Sequence, residues 1–484
     1  MSSTEILGLA GVVALCAVMT FANSAGAAPG DAQARLDALE TQIATLEHRA
    51  QLLEDTKAIK RLQRAYGYYV DKKLSDQIAA LFADAPDTTA ELGELGVYVG
   101  KARIGEFYTH VMGGTGLKPG QLYDHMILQG VVHVADDGMT AKGRWRALIL
   151  LGEHGKSATW AEGPYENEYV KENGVWKFHK VHWYQTVAAP YDPGWHKAPL
   201  PLDPPLKDFP PDRPPTEVYK SYPSAYQPPY HYKNPVSGRC EPGVCNATDE
   251  PSAAPAVAVS DFKDGADPMA RIAAARERLA ALVSRAGRVD DINQIENLQN
   301  SYGYYTDKML WQEVLDLLTD DATMEIGPSG VYVGKDSIAK YLYSLSGGKE
   351  GPLEGVLFEH LQLQPVVTLA PDGQSAKGRW RTFIMTGEYG KGSGGNWGEG
   401  PYENEYVKQG GVWKISKIHW YATFFAPYEG GWLNTGKKAV EDYAMGRGVE
   451  PDRPPSESYE PYPGVYVPPF SFVNPVSGQP VSPQ

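Results

Sequence analysis

The chain has 484 residues, of which 42% are hydrophobic and 11% aromatic, which is too long for one core and sufficient for two or more. Its formal charge of −14, with no dense run of Lys and Arg, excludes a nucleic-acid surface, where clustered cations must meet phosphate.

Residues 6–22, ILGLAGVVALCAVMTFA, form an apolar run followed by small residues at Ala25 and Ala27. This predicts an export signal over 1–28, and therefore a secreted or periplasmic protein. A retained membrane anchor is the alternative, because Glu5 stands where a basic start is usual. Next, Leu36, Leu39, Ile43, Leu46, Ala50 and Leu53 recur at threes and fours, predicting a heptad helix that packs on another helix, by docking or as a coiled coil. The helix runs into Tyr66-Gly67-Tyr68-Tyr69-Val70-Asp71, an aromatic cluster closed by a carboxylate. A second helix over SDQIAALFAD, a short strand ending at Gly100 and a third helix follow. Four strand-like runs come after them: YDHMILQGVVHV, AKGRWRALILLGE, EGPYENEYVK and VWKFHKVHWYQTV. Three helices and then a long antiparallel sheet describe an α+β domain whose curved sheet wraps its helices. The stretch 196–262 is Pro-rich with interleaved tyrosines, predicting an extended arm on a protein surface. Within it Cys240 and Cys245 frame a Pro-Gly turn that brings the thiols into disulfide range, and Asn246-Ala247-Thr248 matches a glycosylation sequon.

The whole pattern is then written again. GVYVGK, AKGRWR and EGPYENEYVK return at offsets of 234, 235 and 237 residues, and the tail motifs PDRPP and NPVSG at 240. The second copy carries Tyr302, Tyr305 and Asp307 in its aromatic cluster. Its domain is expected over 263–435 and its tail over 436–484, with the first domain over 29–195. Phosphate-loop, dinucleotide, hydrolase-elbow and metal-cluster signatures are lacking, so no cofactor is expected.

The helical Y-x-x-x-x-D-K, FADAP, GVYVGKARIGEFY, the strand bearing YDH and the closing hairpin PYENEYVKENGVWKFHKVHW together resemble the SnoaL-like, or scytalone-dehydratase-like, branch of the nuclear transport factor 2-like superfamily. The resemblance covers about 55–190 and 290–428. It implies two tandem cone-shaped α+β barrels, each with a deep apolar pocket, and an intrachain pseudo-dimer with further oligomers possible. It also implies a cofactor-free dehydratase, isomerase or other lyase acting on an apolar or aromatic small molecule.

By that resemblance the catalytic set is Tyr66, Asp71 and His125 in the first copy, and Tyr302, Asp307 and His360 in the second. Imidazole takes a proton beside a carbonyl, a phenol supports the enolate oxygen, and a carboxylate orients the imidazole. Helical spacing puts Tyr66 and Asp71 on different faces, so Tyr68 and Tyr69 are alternatives for lining the pocket. Tyr69, Tyr98, Trp145 and Arg146, with Tyr305, Tyr332, Trp380 and Arg381, are the candidate substrate-binding residues. The arginines either meet an oxygen-rich substrate or pair with Glu162 and Glu166 and their equivalents across the sheet. His182 and His419 are assigned structural roles. The first reading is a dehydratase working through an enolate. The alternatives are an exported small-molecule binding protein without turnover and a formaldehyde-releasing lyase on lignin-derived diaryl compounds.

Overall fold

The computed structural model describes residues 29–234, 268–389, 394–445 and 448–481, together with Ser237, Arg239, Cys240 and Cys245. The apolar N-terminal run and the Asn246 sequon lie outside the described residues. The first module contains α1 (Pro29–Asp71), α2 (Ser75–Ala80), β1 (Thr89–Leu92), β2 (Val97–Val99), α3 (Lys101–Val111), β3 (Gln121–Val134), β4 (Thr140–Glu153), β5 (Ser157–Glu172), β6 (Val175–Trp183) and β7 (Val187–Pro190). The second contains α4 (Pro268–Asp307), α5 (Trp311–Asp316), β8 (Leu318–Ile326), β9 (Val331–Val333), α6 (Lys335–Leu345), β10 (Val356–Leu369), β11 (Ser375–Glu388), β12 (Gly395–Gln409), β13 (Val412–Trp420), β14 (Phe424–Pro427) and α7 (Lys437–Ala444).

Each module holds a seven-stranded sheet, ordered β2-β1-β6-β5-β4-β3 with β7 on β5, and β10-β11-β12-β13-β8-β9 with β14 on β12. The sheets are curved and open rather than closed barrels, and they are mixed rather than antiparallel. β1 pairs parallel with β6 and β8 with β13, because the hairpin before the third helix (β1-β2, β8-β9) joins the sheet beside the last strand of the long meander. Register shifts at Leu128/Val131 and Leu363/Val366, with Gln129 and Gln364 at φ of 51° and 53°, bend β3 and β10 around the helices.

The glycine of each repeated aromatic cluster has a steric cause. A Cβ on Gly67 would come within 2.9 Å of the His125 carbonyl oxygen and 2.7 Å of Ile127, and one on Gly303 would meet Gln362 at 2.6 Å. Glycine therefore lets the end of each long helix lie directly on the strand that carries the histidine.

The heptad helices pair with each other. Leu39 and Ile43 of α1 form one cluster with Ala275 and Leu279 of α4. Arg271, Arg278 and Arg285 each donate through Nε to Glu40, Glu47 and Glu54 at 2.9 Å. The seven-residue spacing of these pairs, rising together in both helices, makes this a parallel intrachain coiled coil. The sheets also meet: Leu122, Met126 and Leu150 of the first module share a core with Phe383, Phe424, Ala426, Trp432 and Tyr462 of the second.

The Pro-rich tails run mainly as extended arms. The repeated PDRPP docks by the same contacts each time, with Asp212 accepting from the Val99 amide at 2.9 Å and Asp452 from the Val333 amide at 2.8 Å. The end of the second tail crosses over, and Phe472 and Val481 are buried in the first module's core. The second tail departs from expectation at α7, a helix in a region anticipated to be wholly extended. Its stretch KKAVEDYA is free of proline, whereas the corresponding first-tail segment, KAPLPLDP, cannot form a helix.

Candidate functional site

The end of α1 presents Tyr66 to the inside of the first cone, and β3 presents His125 from the opposite wall. Between them lies a cavity of about 220 Å³. Apolar side chains such as Val70, Ile149, Leu151 and Ala188 form most of its wall, and Glu94, Thr159, Gln185 and Asp203 add polar groups to those of the tyrosines and His125. Tyr108 from α3 and Tyr165 from β5 complete a chain of hydroxyls. Tyr66 bonds Tyr108 at 3.0 Å and Tyr165 at 3.2 Å, and Tyr165 meets His125 Nε2 at 2.9 Å.

Burial sets the charge states. The His125 imidazole is held neutral, pushed down to about 3 by desolvation and then by the Arg381 guanidinium. Desolvation raises the phenols of Tyr66, Tyr108 and Tyr165, which stay protonated as donors.

Asp71 stands behind this cavity. Its carboxylate accepts the backbone N–H of His125 at 2.6 Å, and its other oxygen pairs with Arg381 of the second module. The helical phase explains this placement: Tyr66 faces inward, Tyr68 and Asp71, three residues apart, face the second module, and Tyr69 meets the C-terminal tail. The Tyr68 hydroxyl donates to the Gln364 carbonyl at 2.8 Å, and Tyr69 stacks on Phe472 with ring centres 6.3 Å apart.

The other candidates of the first copy are placed elsewhere. Tyr98 stacks on Phe107 at 3.9 Å and donates to the Phe209 carbonyl, securing the tail. Trp145 donates to the Tyr169 hydroxyl at 2.8 Å inside the core. Arg146 is half exposed and pairs with Glu162 at 2.6 Å.

The second cone is arranged differently. Asp307 accepts the His360 amide at 2.5 Å and lies 3.7 Å from His360 Nδ1, so here the carboxylate faces the imidazole. Its interior, however, is occupied by α7. The Tyr443 hydroxyl meets His360 Nε2 at 2.7 Å, its ring stacks on Phe425 at 4.3 Å, and Val440 and Ala444 are wholly buried. Phe425 stands where the first cone has Ala188, and Leu342 where it has Tyr108. Tyr302 packs edge-on against Tyr402 at 6.1 Å. Tyr305 is half-buried beside the core, Trp380 is fully buried in it, and Tyr332 stacks on Tyr341 and donates to the Val449 carbonyl. Arg381 is buried between the modules.

His182 and His419 lie 3.7 and 3.6 Å from Glu91 and Glu325 and stack on Tyr184 and Tyr421, in matching structural positions. Cys240 and Cys245 are joined in a disulfide, their Cα atoms 5.3 Å apart. Among the described residues no group of three or more His, Cys, Asp or Glu side chains could hold a metal ion.

Curved mixed sheets around helices, used twice, define a tandem protein of the nuclear transport factor 2-like kind. The SnoaL-like domain model matches residues 51–182 and 287–419, more than half of the chain, which therefore belongs to the SnoaL-like domain family. No curated protein matches the chain. Among solved structures, hexachlorocyclohexane dehydrochlorinase LinA-type3 from Novosphingobium barchaimii is similar at 20% identity over 30% of this chain and 95% of its own, with a TM-score of 0.26. The Kfla4162 protein from Kribbella flavida is 17% identical over 29% and 95%, at 0.25. ActVI-ORFA from Streptomyces coelicolor is 12% identical over 27% and 96%, at 0.24.

Proposed function

We propose that the first cone is a cofactor-independent lyase or isomerase site of the dehydratase type, acting on an apolar or aromatic carbonyl compound. The observation that carries this reading is the convergence of a neutral imidazole and three protonated phenols on one apolar-walled cavity. As the Tyr165 hydroxyl turns from His125 Nε2 to the substrate oxygen, Nε2 is freed to take the acidic proton beside the carbonyl, and the electron pair of the C–H bond becomes the enolate. Hydroxyls of the Tyr66, Tyr108 and Tyr165 chain donate to the enolate oxygen. In a dry cavity the imidazolium and the enolate form together, so each new charge has its partner. Expulsion of a β-hydroxyl with the imidazolium proton releases water and restores the base. Where no leaving group is present, return of the proton at another carbon gives isomerisation.

The second cone, filled by α7, serves the first as a scaffold. The Cys240–Cys245 bond supports an oxidising compartment, in keeping with an exported chain. The test is product analysis after incubation with β-hydroxy-ketones, enones and diaryl compounds. We expect loss of water or migration of a double bond with at least one class, and loss of that activity in His125→Ala. Binding without conversion, or conversion unaffected by His125→Ala, overturns the assignment.

A further inference from the structure

We propose that Arg381, supplied by the second module, is a positioning residue for the first module's base, clamping the strand at His125 and holding its imidazole in the cavity. This rests on the reading of His125 as the base and extends it to the other half of the molecule.

β3 is an edge strand, so the amides of His125 and Ile127 that point away from β4 need partners from outside the sheet. Asp71 accepts the first at 2.6 Å, and Gln364 Oε1 from the second module accepts the other at 2.9 Å. Arg381 holds both acceptors. It donates through Nη2 to Asp71 and through Nε to Gln364 at 3.3 Å. Through Nη1 it donates to Asp124, the neighbour of His125 on β3, and to Glu399 at 2.7 Å. The guanidinium lies under the Tyr68 ring at 5.2 Å, and Arg381 is only 2% exposed. A planar fork with several fixed donors suits this task, and a lysine could not reach all four acceptors at once. Its counterpart Arg146 makes an exposed pair with Glu162 and touches no part of the second cone's histidine strand in the same way. The clamp therefore runs in one direction, from the plugged cone to the open one.

Charged and titratable groups surround the strand at this point: Asp71 and Lys72 from α1, Asp124 on β3, Arg381 and Glu399 from the second module, and Tyr165 inside. Arg381 also contributes to holding His125 unprotonated, second to burial.

The test uses full-length protein with ¹⁵N-labelled histidine, the His125 ring signals being assigned with His125→Gln. Arg381→Gln and Arg381→Lys should each shift the His125 ring nitrogens away from the Tyr165-bonded position. Each should also speed amide exchange in peptides covering 121–134 by about tenfold or more, the equivalent of one charge-assisted hydrogen bond. Arg146→Gln should change neither. With a substrate in hand, kcat should fall in the Arg381 variants with KM nearly unmoved. Unchanged His125 ring signals in Arg381→Gln overturn the proposal. Should that variant not fold, Arg381→Lys decides: wild-type ring signals there would mean that charge alone suffices and the fork is not a clamp. The ring signals need no turnover, so a protein that binds without converting still tests the clamp while failing the proposed reaction.

Discussion

Tyr66 and His125 were assigned by the family resemblance, with the repeated aromatic cluster and the histidine strand, YDH in one copy and FEH in the other, fixing the register, and the structure brings both to one cavity. Tyr108 was not, since its counterpart is Leu342 and the repeat gives it no second mark. Tyr165 carried a signal that went unused: it alternates with Asn167 and Tyr169 along β5, a polar-aromatic face turned inward. Asp71 was expected beside the imidazole, but its partner Arg381 lies 310 residues away, a distance no local pattern spans. If His125 is the base, His125→Ala should lower turnover by about a hundredfold to ten-thousandfold, whereas His360→Ala should retain most of it. Equal losses from the two variants would place the chemistry in both cones. A second expectation concerns acid stability. His125, His182 and His419 are buried and each pushed down to about 3, while unfolded histidine titrates near its ordinary value. Between those two values the unfolded chain binds more protons. The stability these neutral rings contribute is thus complete above about pH 6.5 and falls as the pH drops toward 3, with a limiting slope of about 1.4 kcal/mol per unit for each ring. The raised carboxylates of Asp71, Glu91, Asp124 and Glu403, lifted first by burial, act in the opposite sense, their contribution being lost as pH rises. The contribution of one ring is isolated by comparison: the stability difference between the wild type and His182→Gln should shrink as the pH falls from 7.5 to 5.5, read from urea midpoints. A difference that does not change with pH would contradict the buried neutral state.

At the level of elements, most of the helices and long strands follow from periodicity and turn residues, and two features depart from that reading. β1 and β8 pair parallel with β6 and β13, the last long strand of each module, a crossover that alternation of side chains does not encode. Helix α7 differs in kind, because its signal was present: three extra residues and the loss of proline separate the second tail from the first. Reading the tails as equal copies hid it. Its effect is to place Tyr443 on His360 Nε2 and to fill the second cone, where the first tail leaves Leu200 and Leu202 only lining the cavity. Tyr443→Ala should remove a partly buried ring stacked on Phe425, costing about 2 kcal/mol by denaturant titration, at the low end for truncation of a large side chain. The same variant should gain uptake of a small aromatic probe such as benzene in the second cone. Stability at the wild-type level would mean that α7 is only loosely seated there.

On the scale of the whole molecule, the repeat announced two modules but not the way they join. Heptad positions showed that a helix partner was needed, and the partner proves to be the other copy of the same helix, which makes the pairing independent of concentration. Further contacts join the modules, among them the shared core around Trp432, the Arg381 cluster, and the second tail, whose Phe472 and Val481 complete the first core. Because the first core is completed by the second tail and the two sheets share a further cluster, the chain should unfold in a single cooperative transition rather than as two domains in series. Calorimetry of the full chain should therefore give one peak, with the calorimetric and van't Hoff enthalpies in agreement. Removing residues 468–484 takes Phe470, Phe472 and Val481 from the first core while leaving α7 in the second, so it should lower the melting temperature and weaken the first module selectively. Two resolved peaks should then appear, with amide exchange rising first in α1 and β3. Two peaks in the intact chain, or a truncated chain that melts as the intact one does, would show that the tail and the interface bind the modules without coupling their stability.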